Sequence, residues 1–249
     1  MKIIKLDTVD STNSEALRRL PELENLTVIS AREQTAGRGQ RGNTWFSAPG
    51  ENLTFSIVLK FGSGALPALK AGEAHFLNYL ISDVLADYLA SFGILATIKW
   101  PNDIYVGKNK IAGILIENSI DGEYLASSVI GVGLNVNQEE FPNLVNATSI
   151  WRCRGEVYDL DKCLKNLLER FESFLPCIFT PEKRRSLFSN YSSELYGSDH
   201  TTRFRNNLTG EEFWGKVDGV DPTDGRLRIN NISAHRLELF YFKEVSYIL

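Results

Sequence analysis

Between about Ala68 and Ser91 the apolar residues recur at helical spacing. Leu77, Leu80, Ile81, Val84, Leu85, Tyr88 and Leu89 fall on successive turns, and Gly93 lies just beyond them. This predicts the clearest helix of the chain, with one face on a core and a glycine to end it. Shorter helices are predicted at Glu15–Leu20, at about Leu160–Leu175 and at Pro181–Leu195. Ser11 or Thr12 supplies the N-cap of the first, with Glu15 close behind. Apolar runs bounded by turn residues predict strands at Ile3–Leu6, Thr27–Ala31, Leu53–Lys60, Ala96–Lys99, Ile104–Val106, Ile111–Glu117 and Tyr124–Val136. Gly107-Lys108-Asn109 reads as a hairpin turn. It brings Lys110 back to the level of Asn102 and Asp103.

From Gly197 onward the pattern changes. Phe213–Val217, Arg226–Ile229 and Glu238–Phe242 are short strand-like pieces between turn clusters at Asn206-Asn207, Asp221–Gly225 and Asn230-Asn231. Roughly fifty residues of short strands suggest a small barrel. The expected architecture is α+β: a mixed-sheet domain over residues 1–195 and a small SH3-like β-barrel over residues 196–249.

Composition narrows the class without identifying it. The formal net charge of -4 argues against broad binding to nucleic acid or acidic membranes. Cys153, Cys163 and Cys177 form no Cys-x-x-Cys pair, which suits a reducing compartment and gives neither a disulfide framework nor a zinc site. His75, His200 and His235 are scattered, so no metal ligands are predicted. Neither a membrane-length apolar run nor a secretory signature is present, and a cytoplasmic location is expected.

The stretch richest in chemistry is Gln34-Thr-Ala-Gly37-Arg38-Gly39-Gln40-Arg41-Gly42-Asn43-Thr44-Trp45. Glycines let backbone N–H groups approach a ligand, and arginines offer forked donors to carboxylate and phosphate. The segment is no Walker loop, since no lysine follows the glycines. It is no dinucleotide fingerprint either, since no helix follows them. Alone it reads equally as an anion cradle or a solvated turn. Likewise, the alternating Gly131 and Gly133 in Val129–Asn137 clear one strand face for a flat ligand or for a neighbouring backbone.

Five segments in order and register resemble the biotin protein ligase family. They are Asp10-Ser11-Thr12-Asn13, the Gly37–Trp45 loop, Lys99-Trp100-Pro101-Asn102-Asp103, Lys110-Ile111-Ala112-Gly113 and Gly131–Asn135. The likeness covers roughly the first three-quarters of the chain. The Arg-Gly-Gly-Gly segment typical of the lipoate ligase cousins is absent. The resemblance implies a catalytic domain of biotin/lipoate ligase type that activates biotin as biotinyl-5'-AMP with ATP and Mg²⁺. The biotinyl group then passes to a lysine of a biotin carboxyl carrier protein domain. A lipoate or octanoate ligase or transferase of the same fold, and a non-catalytic adenylate-binding module, are the alternatives.

Roles follow from the matching positions. The resemblance puts Ser11, Thr12, Asn13, Gln34, Arg38, Gly39, Gln40, Lys110 and Gly113 at biotin. It puts Arg41, Trp45, Lys99, Asn102, Asp103 and Asn135 at ATP, and makes Lys110 and Arg38 catalytic. Capping is the alternative role for Ser11 and Thr12, and anchoring of the loop is the alternative for Trp45. Many family members carry arginine at the position of Gln40, so this chain has one cation fewer there. Some carry an N-terminal DNA-binding domain; ten residues precede Ser11, and a short form without operator binding is expected. A homodimer is among the assemblies the resemblance allows.

Overall fold

A computed structural model describes residues 1–62, 65–142, 144 and 146–248, with the side chain of Arg41 outside the described set. Seven strands make one mixed sheet: β1 (Lys2–Val9), β2 (Thr27–Gln34), β3 (Leu53–Lys60), β4 (Thr97–Lys99), β5 (Asp103–Val106), β6 (Asn109–Asp121) and β7 (Tyr124–Leu134). Their spatial order is β1-β2-β3-β7-β6-β5-β4. Only β1 and β2 pair in parallel. Such a pair needs a crossover, and α1 (Thr12–Arg18) supplies it. Ser11 is its N-cap, with an extended backbone and a side chain that accepts from the Ser14 N–H.

The two faces of the sheet are covered differently. One packs its apolar side chains, among them Phe55, Ile57, Ile130 and Val132, into a large core with α2 (His75–Ala90), α4 (Leu160–Phe174) and α5 (Pro181–Ser193). The other carries only a small cluster under α1, formed by Ala16, Leu23, Ile29, Val58 and Val129. Side chains alternate along a strand, so Val129, Gly131 and Gly133 of β7 share this second face. It is apolar beneath the helix and bare beyond it.

Five antiparallel strands form a second sheet: β8 (Thr202–Asn206), β9 (Glu212–Val220), β10 (Leu227–Asn231), β11 (Arg236–Phe240) and β12 (Val245–Ile248), ordered β11-β10-β9-β8-β12. Phe213 of β9 lies 6.0 Å from Phe240 of β11, and 5.6 Å from Phe204 of β8, between ring centroids. Since β10 separates β9 from β11, that contact requires the sheet to curl around its aromatic interior. The C-terminal sheet is tied to the first one: Tyr196 N–H donates to the Ile98 carbonyl at 2.9 Å, and Trp100 Nε1 donates to the Gly225 carbonyl at 3.1 Å.

The predicted β4-β5-β6 meander and the Gly107 turn are present. The long helix begins at His75 rather than at about Ala68. Residues before it are drawn to the sheet, where Lys70 bridges Tyr124, and Ala71–Glu73 make a 3-10 turn. The strands β8 and β12 and the short helix α3 (Ile150–Arg154) were not expected. Among the described residues no helix is long and apolar enough to cross a membrane.

Candidate active site

A trench of about 590 Å³ opens on the bare face of the sheet, a size usual for a small-molecule site. Its floor is a glycine pair: Gly113 of β6 stands directly opposite Gly133 of β7, with Gly131 two residues away. A Cβ on Gly131 would fall 2.2 Å from Asn13 Oδ1, and one on Gly133 would fall 2.2 Å from Trp45 Cε2. The glycines thus make room for one side chain from α1 and one from the Gly/Arg loop. The face is cleared as the alternating glycines predict, but the side chains of Asn13 and Trp45 occupy it, where a flat ligand or a neighbouring backbone was expected.

One end of the trench is a buried network of uncharged side chains that runs onto the Glu117 carboxylate. Gln34 Oε1 accepts from Thr12 N–H at 2.8 Å and from Thr12 Oγ1 at 3.2 Å. Ser56 Oγ of β3 lies 2.8 Å from Thr12 Oγ1 and 2.5 Å from Asn13 Oδ1. Asn13 Nδ2 donates to the Leu115 carbonyl at 3.1 Å and to Glu117 Oε2 at 3.0 Å. These bonds satisfy polar groups that burial would otherwise penalise, and they fix each rotamer. Ser56 was not foreseen; a lone serine in an apolar strand carries no signal by itself.

The other end is cationic. Gly37–Trp45 folds back on itself: Trp45 N–H donates to the Gly37 carbonyl at 2.9 Å and Gly39 N–H to the Asn43 carbonyl at 2.7 Å. A Cβ on Gly37 would meet the Trp45 carbonyl at 2.3 Å, so only glycine permits that approach. Arg38 grips Glu117 of β6 at 2.6 and 3.2 Å and reaches Ser14 Oγ at 3.2 Å. Lys110 Nζ lies 2.6 Å from Asp103 Oδ1 and 5.5 Å from the Trp45 ring centre. The backbone of Lys110 is clamped by Asn146 and Thr148, both at 2.9 Å. Trp45 Nε1 is buried without a hydrogen-bond partner among the described residues.

Between β4 and β5 the Trp100-Pro101 turn is held from three sides. Asn78 of α2 and Tyr191 of α5 donate to the Pro101 carbonyl at 2.5 and 2.7 Å, and the C-terminal sheet's Gly225 takes the Trp100 indole. Asn102 is fixed by bonds to Ile114 in both directions. Lys99 reaches Tyr105 Oη at 3.2 Å, and burial pulls its pKa below the usual lysine value although the nearby Asp103 opposes this.

The trench thus gathers Ser11, Thr12, Asn13, Gln34, Arg38, Gly39, Gln40, Trp45, Lys99, Asn102, Asp103, Lys110 and Gly113. Asn135 stands apart: it does not line the trench, and its Nδ2 donates to the Thr148 carbonyl at 2.9 Å. Arg41 lies in the loop, with a side chain outside the described set. Sequence reasoning also missed a wall made by Ser246 and Tyr247 of β12 and by Asn207, Phe242 and Lys243 in the turns beside it. No local motif marks those positions, because only the tertiary fold brings them to the trench.

Comparison with known proteins agrees with this geometry. Bifunctional ligase/repressor BirA of Bacillus spizizenii is 31% identical over 232 residues, spanning 88% of this chain and 66% of that protein. A biotin--[acetyl-CoA-carboxylase] ligase of Paracoccus denitrificans is 39% identical over 134 residues, 53% of each chain. The chain therefore spans about two thirds or less of these curated relatives. The fold matches that of biotin protein ligase from Aquifex aeolicus in complex with biotin and ATP, with a TM-score of 0.75 at 24% identity over 99% of this chain and 98% of that one. The model of the biotin/lipoate A/B protein ligase family matches residues 5–135, a span that takes in the polar pocket, the Gly/Arg loop and the lysine hairpin. By that match, over more than half its length, this chain belongs to the biotin/lipoate A/B protein ligase family.

Proposed function

We propose that this protein activates biotin with ATP as biotinyl-5'-AMP and transfers the biotinyl group to one lysine of a biotin carboxyl carrier protein domain. One observation carries the reading: a single glycine-floored trench joins a neutral hydrogen-bonding end to a cationic end. A ureido ring needs both donors and acceptors, and Ser11, Thr12, Asn13 and Gln34 supply them. A lipoyl dithiolane has no N–H or carbonyl with which to bond these polar groups, which favours biotin. The relative named as a biotin--[acetyl-CoA-carboxylase] ligase supports the same substrate.

In this reading the acid lies along the floor with its carboxylate at Lys110. A carboxylate oxygen attacks the α-phosphorus, the bond to the bridging oxygen of the β-phosphate breaks, and pyrophosphate leaves. Two anions must meet for this, so positioning and charge neutralisation dominate. Lys110 and Arg38 are the cations that do so, exchanging Asp103 and Glu117 for ligand oxygens. Trp45 forms a wall beside the nucleotide, and Lys99, Asn102 and Asp103 line its phosphate side. Asp103 and Asn102 offer oxygen donors suited to a Mg²⁺ that keeps most of its coordination in phosphate and water. Bound there, the ion would offset phosphate charge. In the second step the acceptor ε-amine attacks the acyl carbon, AMP departs and the amine gives up a proton.

Residues 1–195 form the domain that carries both ligand ends, and residues 196–249 form a small domain that completes the trench. A cytoplasmic location suits the three free thiols and the supply of ATP. A homodimer is the assembly to look for by light scattering. The deciding experiment offers biotin, lipoate or octanoate with Mg-ATP and a carrier domain, and locates the modified lysine by mass spectrometry. Biotin-dependent pyrophosphate release and a biotinylated lysine are expected. Turnover of lipoate or octanoate in preference to biotin, or of none of them, overturns the assignment.

A further inference from the structure

Among the described residues four cations line the trench, and two of them are already paired. Arg38 holds Glu117 and Lys110 holds Asp103. Lys99 and Lys243 have no carboxylate within salt-bridge distance among the described residues. They come from different sheets: Lys99 ends β4, while Lys243 sits on the turn between β11 and β12. The two walls meet at Tyr247 of β12, whose ring centre is 5.5 Å from Lys99 Nζ.

Lys243 is held in an unusual way. Its φ is +74°, a left-handed conformation that glycine adopts freely and lysine does not. The turn imposes it. Tyr241 N–H donates to Glu244 Oε2 at 2.8 Å, and Glu244 N–H donates to the Tyr241 carbonyl at 3.0 Å. From the end of β8, Asn207 Nδ2 donates to the Lys243 carbonyl at 2.7 Å and to Ser246 Oγ at 2.8 Å. A braced backbone thus carries an exposed lysine at the edge of a trench that already holds the ammonium of Lys99, bonded to a phenol rather than to a carboxylate. Both cations line one cavity, so an anion bound in it can meet the two of them.

We propose that Lys243 is a further phosphate-binding residue of this site, acting with Lys99 on the β- and γ-phosphates of the nucleotide and on the pyrophosphate that leaves. The inference rests on the adenylation reading above. It gives the C-terminal domain a direct hold on the polyphosphate.

The test compares the full chain with Lys243→Gly, which keeps the left-handed turn, and with Lys243→Arg, which keeps the charge. Calorimetry with Mg-ATP, with pyrophosphate and with biotin alone supplies the readout. Loss of one partly solvated charge contact should weaken ATP and pyrophosphate about fivefold in Lys243→Gly. Biotin affinity should stay at the wild-type value, and Lys243→Arg should recover most of the loss. A folded Lys243→Gly protein that binds ATP and pyrophosphate like wild type overturns this assignment and leaves adenylation standing. Equal weakening of biotin overturns it too, since that marks a merely structural role. A wild-type protein that binds neither ATP nor pyrophosphate overturns both readings.

Discussion

The two ends of the trench are built on opposite physical plans. At the neutral end Ser56, Thr12 and Asn13 are 0%, 4% and 2% exposed, and each sits at or within a helix or strand. Their hydrogen bonds interlock, so moving one orphans another in a dry setting. At the cationic end the side chains of Arg38 and Lys110 are 43% and 30% exposed, and each faces one carboxylate. Partly exposed ion pairs are worth about 0–1 kcal/mol, so a ligand anion can replace the carboxylate at little cost. Recognition is rigid and charge handling is exchangeable.

The sharpest way to break this comparison is Lys110→Ala. Its pair with Asp103 contributes little to folding, yet in the proposed mechanism Lys110 is the cation between carboxylate and α-phosphate. Adenylate formation should fall about 10²–10³-fold, the scale seen when one preorganised electrostatic contact is removed. The melting curve should move by the equivalent of about 1 kcal/mol or less. Pyrophosphate release and thermal denaturation measure the two effects separately. A mutant that is folded and within a few-fold of wild-type activity would remove Lys110 from the chemistry.

The next pair of variants tests rigidity itself. Gly131→Ala and Gly133→Ala each drive a methyl to about the same depth, into Asn13 and Trp45 respectively. Asn13 is tied by three bonds to β3 and β6 and cannot yield. Gly131→Ala should therefore lose about 2–3 kcal/mol of stability, at the upper end for overpacking. Trp45 rides on a glycine-rich loop that can lift away, so Gly133→Ala should lose about 1 kcal/mol. Its indole emission should shift to the red as Nε1 reaches water. Equal costs in the two variants would show that both ends are equally stiff.

Ser56→Ala examines the same network more gently. It removes the hydroxyl that bridges Thr12 and Asn13 and adds no bulk. A loss of about 1–2 kcal/mol is expected, as for a buried hydrogen bond whose partner stays unsatisfied. Biotin affinity should fall with it while ATP affinity holds. If ATP binding suffered as much, the two ends would not be independent.

How much of this was legible in the sequence follows the same division. The Gly/Arg loop, the lysine hairpin and the glycine floor are local patterns, and each forms in or beside the trench. Lys110 returns to Asp103 because a hairpin turn fixes the register, a rule that sequence spacing carries. Ser56 was invisible because its value lies in what α1 lays over it. Lys243 and Tyr247 were invisible because the fold of β8 to β12 sets the wall they line, and β12 is four residues long. Helix α2 was misjudged at its start because the backbone from Leu69 to Ala71 pairs with the β7 hairpin end, which outweighs local helical preference. Glu117 reads as the end of an apolar strand until Arg38 is seen on it.

The smallest effect concerns Lys99, which stands between the two ends: half-buried where the neutral network is dry, and charged like the ion pairs. Burial holds its pKa below 10.5, and the neighbouring ammonium of Lys110 pushes the same way. Its charge is complete well below that folded-state pKa and is lost as pH rises through it, before an ordinary lysine would titrate. Any help it gives to nucleotide phosphates must fade over the same range. Folding responds with the opposite sign: the fold disfavours charged Lys99, so stability gains as pH climbs from the folded pKa towards 10.5. Lys99→Arg keeps its charge throughout and should remove this residue's share of both trends. Wild-type ATP affinity should decline as pH rises from neutral towards 10.5, and the variant's should decline less over that range. Parallel curves for the two proteins would show that Lys99 supports the β4–β5 turn rather than the phosphates.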